Sequence, residues 1–128
     1  MLGRMLIKLI INAAALAAAD KAIAGIHADG LKAIVVMAII FGVVNAIIRP
    51  VVRILSFPLL ILTLGLFTFV INALMLMLSE WIAGLFGVGF HVDSFGSALL
   101  GSIIISIVSI ILSILLEPSA PHQEAARA

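Results

Sequence analysis

The chain contains no cysteine, and only 10% of its 128 residues are charged. The first absence excludes structural disulfides, thiolate chemistry and cysteine metal sites. The second excludes a water-soluble monomer, since an ordinary soluble domain carries about 25% charged residues. Seven Lys plus Arg, six Asp plus Glu and three His cannot clothe a core of this length in polar surface. A formal net charge of +1 and the lack of a basic stripe also argue against a nucleic-acid partner. What is present is hydrocarbon, at 65% of residues, so the expected solvent is lipid. Four spans would use about 80 residues and leave loops too short for a separate catalytic or binding domain.

Charge-free stretches mark the spans, because a central Lys, Arg or Asp costs about 2.5 to 3.5 kcal/mol on insertion. Ala33 to Ile48 is closed by Lys32 and Arg49, Ile54 to Ser79 by Arg53 and Glu80, and Ser94 to Leu116 by Asp93 and Glu117. The first of these is short, so Lys32 is expected to snorkel. A fourth stretch, Arg4 to Gly25, is interrupted by Lys8, Asp20 and Lys21. Locally it reads equally well as a cleaved signal peptide, with Arg4 and Lys8 as its basic region and Ala17-Ala18-Ala19 as a cleavage site.

An internal repeat decides between the two. Ile11-Asn12-Ala13 recurs as Ile71-Asn72-Ala73, each followed eight residues after its Asn by an acid, Asp20 or Glu80. Gly25-Ile26-His27-Ala28-Asp29 recurs as Gly89-Phe90-His91-Val92-Asp93, each opening an apolar span. The second copy cannot be a signal peptide, so the first copy is expected to be a structural helix. The expected fold is an all-α membrane protein, four transmembrane helices built as two parallel-repeat helical hairpins. Repeat one covers about 5–55 and repeat two about 60–117 of a single domain, 1–117, followed by a polar, disordered tail, 118–128. Both His-x-Asp segments then share one side. Basic residues 4, 8, 49, 53 and 127 share the other, against Lys21 and Lys32, so the positive-inside rule places both termini in the cytoplasm.

Small or polar residues run down one face of each helix: Lys8, Asn12, Ala15 and Ala19; Ala38, Gly42, Asn45 and Arg49; Gly65, Thr68, Asn72 and Ser79; Ala98, Ser102, Ser106, Ser109 and Ser113. Close helix packing is the bland reading and a wetted pathway the sharp one, with the helix-four serines as its lining. An unpaired amide in hydrocarbon is costly, so Asn12, Asn45 and Asn72 should each face a partner helix. The repeat-related Asn12 and Asn72 are expected to bond one another across the pseudo-twofold axis, or the seam of a second subunit. Asp20 and Glu80, near the outer helix ends, are candidate functional acids or interfacial anchors.

His27, Asp29, His91 and Asp93 admit a metal reading, since imidazole and carboxylate suit zinc or iron. Asp29 and Asp93 also precede apolar helices, where an N-cap belongs, and this capping reading is preferred. Arg49 and Arg53 lie one turn apart around Pro50, which is expected to end or kink helix two. Val51 to Leu64 would then lie partly along the inner interface with both guanidinium groups among lipid phosphates, or with both simply enforcing orientation. No nucleophile-base pair, paired-carboxylate cleft or nucleotide motif is present, so neither an enzyme nor a cofactor is expected.

The stretches Asn45-Ala46-Ile47-Ile48-Arg49-Pro50, Phe57-Pro58, Leu62-Thr63-Leu64-Gly65-Leu66-Phe67 and Val70-Ile71-Asn72-Ala73 resemble the phage holin family, superfamily IV, the mycobacterial four-span type. Gly89-Phe90-His91-Val92-Asp93-Ser94-Phe95 is similar to the loop before helix four in that family, and the resemblance covers about residues 5 to 115. It implies a small four-helix protein of the bacterial inner membrane that associates laterally into homo-oligomers, forming or regulating membrane lesions. A non-lytic scaffold, or a lipid-binding or envelope-stress protein, is the alternative. Membrane lipid is the expected partner in either case, and no protein partner is identified.

Overall fold

In a computed structural model of the chain, residues 2–116 are described, and the expected tail at 118–128 lies outside them. The elements run α1 (Leu2–Ala22), β1 (Ile26–Ala28), α2 (Leu31–Leu55), α3 (Phe57–Leu62), α4 (Phe67–Leu85), β2 (Phe90–Val92) and α5 (Phe95–Leu116). Helices α1, α2, α4 and α5 are each long and apolar enough to cross a membrane. At 1.5 Å per residue, about 20 residues span the hydrocarbon. Helices α1 and α4 each pack against both α2 and α5, which gives the ring order α1, α2, α4, α5. Large apolar side chains cover the outside of the bundle, among them Ile10, Ile47, Leu74 and Ile107. In lipid, that exterior needs no further cover.

The two connections between the long helices are not plain loops. Strands β1 and β2 pair antiparallel, with Ile26 opposite Val92, His27 opposite His91 and Ala28 opposite Phe90. The ladder is framed by Asp29 N–H donating to Gly89 O at 2.7 Å and Asp93 N–H donating to Gly25 O at 2.8 Å. Alternation along the strands decides what it buries. Ile26, Phe90 and Val92 enter the core, while His27 and His91 stay exposed. Glycine is required on both strand approaches by space: a Cβ on Gly25 would collide with Ser97, and one on Gly89 with the Asp29 carboxylate.

Beneath the ladder lies the apolar core, with Leu16, Ala19, Met37, Leu76, Ala83 and Ala98 fully buried or nearly so. Gly101 lets the Ile26 side chain press onto the α5 backbone, where any Cβ would collide with it. This end of the bundle is sealed.

The opposite end departs from expectation at two places, Pro50 and Gly65. Pro50 does not end helix two, because α2, 25 residues long, continues through it to Leu55. Proline removes the bond to the Ala46 carbonyl, and a membrane helix tolerates this where neighbouring polar groups or water can reach the freed oxygen. Ala46 borders a polar cavity with Lys8 and Asn45. The charge-free stretch Ile54 to Ser79 is divided, as the interfacial reading of Val51 to Leu64 implies: α3 is a separate six-residue helix, and the third long helix, α4, begins at Phe67.

Gly65 is therefore not part of a helical seam. Its N–H donates to Leu60 O at 2.8 Å, and Leu64 N–H donates to Ile61 O at 3.2 Å. That pair of bonds is the Schellman termination of α3. It holds Leu64 at φ 55° and Gly65 at φ 90°, a conformation that glycine adopts freely and leucine does not. Thr63 links the two helices, its Oγ1 donating to Leu59 O at 2.8 Å and accepting Phe67 N–H at 3.1 Å.

Candidate functional site

Polar side chains collect at two levels of the bundle, and the structure satisfies only one of them. At the strand end, Asp20 Oδ1 accepts the Ala28 N–H at 2.9 Å. Glu80 Oε2 accepts the Val92 N–H in the matching place on the other strand. Both carboxylates are half-buried. Amides on the outer edges of a two-stranded ladder have no strand partner, and in an apolar setting each needs an acceptor. A carboxylate gives a charge-assisted bond, about twice as strong as a neutral one. The two acids expected near the outer helix ends thus hold the ladder onto α1 and α4.

Asp29 and Asp93 are not helix caps. The cap residue of α2 is Gly30, without a side-chain hydrogen bond. At α5 the cap is Ser94, whose Oγ accepts the Ser97 N–H at 3.1 Å. Ladder formation moves both aspartates into the strands' final hydrogen bonds, one residue too early to cap. His27 Nε2 lies 3.8 Å from Asp93 Oδ2, with both side chains well exposed. Among the described residues, no three or more His, Asp or Glu side chains come together as a metal site. The metal reading of His27, Asp29, His91 and Asp93 thus gains no geometry.

The second level lies towards the termini. Asn12 of α1, Asn45 and Arg49 of α2, Asn72 of α4, and Ser102, Ser106 and Ser109 of α5 line a cleft of about 300 Å³ on the bundle axis. A neighbouring cavity of about 370 Å³ shares Asn12, Asn45 and Ser109 and extends to Lys8 and Ser113. The seams therefore converge inside one chain. Thr68, on the first turn of α4, stays outside this lining and is half-buried.

The asparagines do not bond one another. Asn72 Nδ2 donates to Ser106 Oγ at 3.3 Å, across the α4–α5 interface. Asn12 Nδ2 instead lies against Gly42 on α2, 3.2 Å from where a Cβ would stand. Each asparagine faces the helix it packs beside, because α1 and α4 sit on opposite sides of the ring. Of the serines, Ser79 and Ser102 donate to Met75 O at 2.7 Å and Leu99 O at 2.9 Å within their own helices. Among the described residues, three buried side-chain polar atoms remain without a partner: Asn45 Oδ1, Arg49 Nε and Asn72 Oδ1. All three residues line the axial cleft.

The charges divide along the same line. Asp20, Asp29, Glu80 and Asp93 all sit at the strand end, together with Lys21 and Lys32. Among the described residues, the terminal end holds Arg4, Lys8, Arg49 and Arg53 and no acid. Nothing in the arrangement supplies a nucleophile with its base. What it can do is attract and hold an anion beside the membrane surface.

A family model described as the mycobacterial 4 TMS phage holin, superfamily IV, matches residues 3–111. The chain belongs to this family. Membership agrees with the four apolar helices and makes the chain a holin-like, multi-pass membrane protein of a membrane-protein rather than an enzyme family. Among curated proteins, an uncharacterized protein of Streptomyces coelicolor is 50% identical over 110 residues, 81% of this chain and 88% of that one. The uncharacterized membrane protein YvlD of Bacillus subtilis is 34% identical over 106 residues, 83% of this chain and 87% of its own length. No solved structure matches the holin-family chain.

The sequence reading missed the ladder. The Gly-x-His-x-Asp segments did carry the signal, since apolar residues alternate with histidine at the strand period of two.

Proposed function

We propose that this holin-family chain is a lipid-engaging protein of the bacterial inner membrane whose basic end grips anionic headgroups from the cytoplasmic side. The observation that carries the reading is charge segregation. Arg4, Lys8, Arg49 and Arg53 occupy one end without an acid among the described residues. Each basic group near an anionic leaflet contributes about 1 kcal/mol of attraction, so four together suffice for a stable preference. The positive-inside rule puts that end, and both termini, in the cytoplasm. The full chain, purified in a neutral detergent and examined by native mass spectrometry, should retain phosphatidylglycerol over phosphatidylcholine. The double substitution Arg49→Gln with Arg53→Gln should remove most of that preference. Equal retention of the two lipids by the unaltered chain would overturn the reading.

Lateral association into homo-oligomers that form or regulate lesions is the second reading, and family membership favours it. The polar seams that such a lesion would need for its lining turn inward within one chain, so lesion formation would require the bundle to open. Timed dye entry into expressing cells supports this reading, and normal dye exclusion at high expression removes it.

A further inference from the structure

The axial cleft holds a chemical imbalance that no group among the described residues resolves. The Arg49 Nε–H is a donor that needs an acceptor, whereas the Asn45 and Asn72 Oδ1 atoms are acceptors that need donors. Asn72 is only 8% exposed, so bulk water does not serve it. A simple anion would satisfy Arg49 and leave both amide oxygens unmet. An ammonium group would satisfy the oxygens and be repelled by the guanidinium. Water offers both functions but leaves the charge of Arg49 standing, and among the described residues no carboxylate pairs with it.

A phosphate ester that carries hydroxyl groups meets all three demands. Its phosphate oxygens accept from the guanidinium, and its hydroxyls donate to the amide oxygens. We propose that the cleft is a binding site for a polyol phosphate of the glycerol phosphate type, held by Arg49, Asn45 and Asn72. This proposal rests on the lipid-engaging reading and deepens it, because it separates two arginines which that reading treats alike. Arg49 is half-buried and lines the cleft, while Arg53 is exposed one turn farther out.

The size fits. A cleft of about 300 Å³ stands at the lower limit of small-ligand pockets, about 300 to 1,000 Å³, enough for a headgroup and too small for acyl chains. A route also exists, since the adjoining cavity shares Asn12, Asn45 and Ser109 with the cleft and reaches Lys8 at the basic end. At the other end the apolar core closes it. The occupant is either the headgroup of a lipid or a free polyol phosphate, and the two sources are separable by experiment.

The test uses the full chain in neutral detergent with four probes: phosphatidylglycerol, phosphatidic acid, phosphatidylcholine and soluble glycerol phosphate. Native mass spectrometry should show phosphatidylglycerol retained about tenfold over phosphatidylcholine and about threefold over phosphatidic acid, which lacks the hydroxyls. Asn45→Asp sets an isosteric carboxylate one turn from Arg49, so it should abolish the preference over phosphatidic acid while unfolding at or above the temperature of the unaltered chain. Asn72→Leu is a second variant that should lose the same preference without adding charge. Arg53→Gln should change retention by less than about twofold. A rise in unfolding temperature with soluble glycerol phosphate, lost in Asn45→Asp, would support the site with a free ligand. Lipid selectivity without such a rise would support it with a headgroup. If phosphatidylglycerol and phosphatidic acid are retained equally, Asn45→Asp is neutral, and both still exceed phosphatidylcholine, the cleft site is overturned and the surface reading stands. Equal retention of all three lipids removes both.

Discussion

The two ends of this bundle solve the same problem differently. At the strand end no buried side-chain polar atom lacks a partner among the described residues, and the outward amides of Ala28 and Val92 are taken up by Asp20 and Glu80. At the basic end three buried polar atoms have none. A membrane protein that satisfies itself so fully at one level does not lack the means at another. The strand end is built for stability, and the basic end keeps its polar atoms available for something other than protein.

The widest way to break that comparison is to remove both carboxylates. Asp20→Ala with Glu80→Ala leaves two buried amides unmet at about 1 to 3 kcal/mol each, so thermal unfolding in detergent should show the largest loss of any change discussed here. Each single variant should lose about half as much, and a neutral double variant would mean that the ladder is not what closes this end. Overpacking comes next. Gly42→Leu drives a side chain into Asn12 and should cost about 1 to 3 kcal/mol by the same measurement, whereas a leucine that left stability unchanged would show that the α1–α2 contact is loose. Asn45→Leu should behave in the opposite way to the acids. It replaces an unpaired amide by hydrocarbon, and its unfolding should stay within about 1 kcal/mol of the unaltered chain or shift upward. A loss of the size expected for Asp20→Ala would place Asn45 among the structural groups. The smallest effect is expected at Leu64→Gly, which relieves a left-handed leucine and should raise stability by about 1 kcal/mol, with no change in lipid retention.

The four spans were legible because charge is expensive in hydrocarbon, and Lys32, Glu80 and Asp93 mark span limits near helix ends. The acids were legible as special, through their matched distance from Asn12 and Asn72, but not as hydrogen-bond acceptors. Their partners are backbone amides eight and twelve residues on, and no side-chain pattern announces a backbone group. The aspartates misled for a related reason. An Asp just before a helix is a good cap by composition, and only the pairing of the two strands withdraws Asp29 and Asp93 from that role. Pro50 misled because a helix breaker in water is a tolerated residue in a membrane bundle. The cleft residues were all in the seams, yet a seam on one helix does not say whether it meets lipid, another chain or its own three neighbours. That depends on the ring order, which is a property of the whole chain.

The ladder also has a mechanical meaning. It bonds the two helix pairs at one extremity, while at the other the chain itself joins them through α3. The two helix pairs are thus held at both extremities, by strand pairing at one and by the covalent connection at the other, and the polar cleft lies between them on the side of the covalent one.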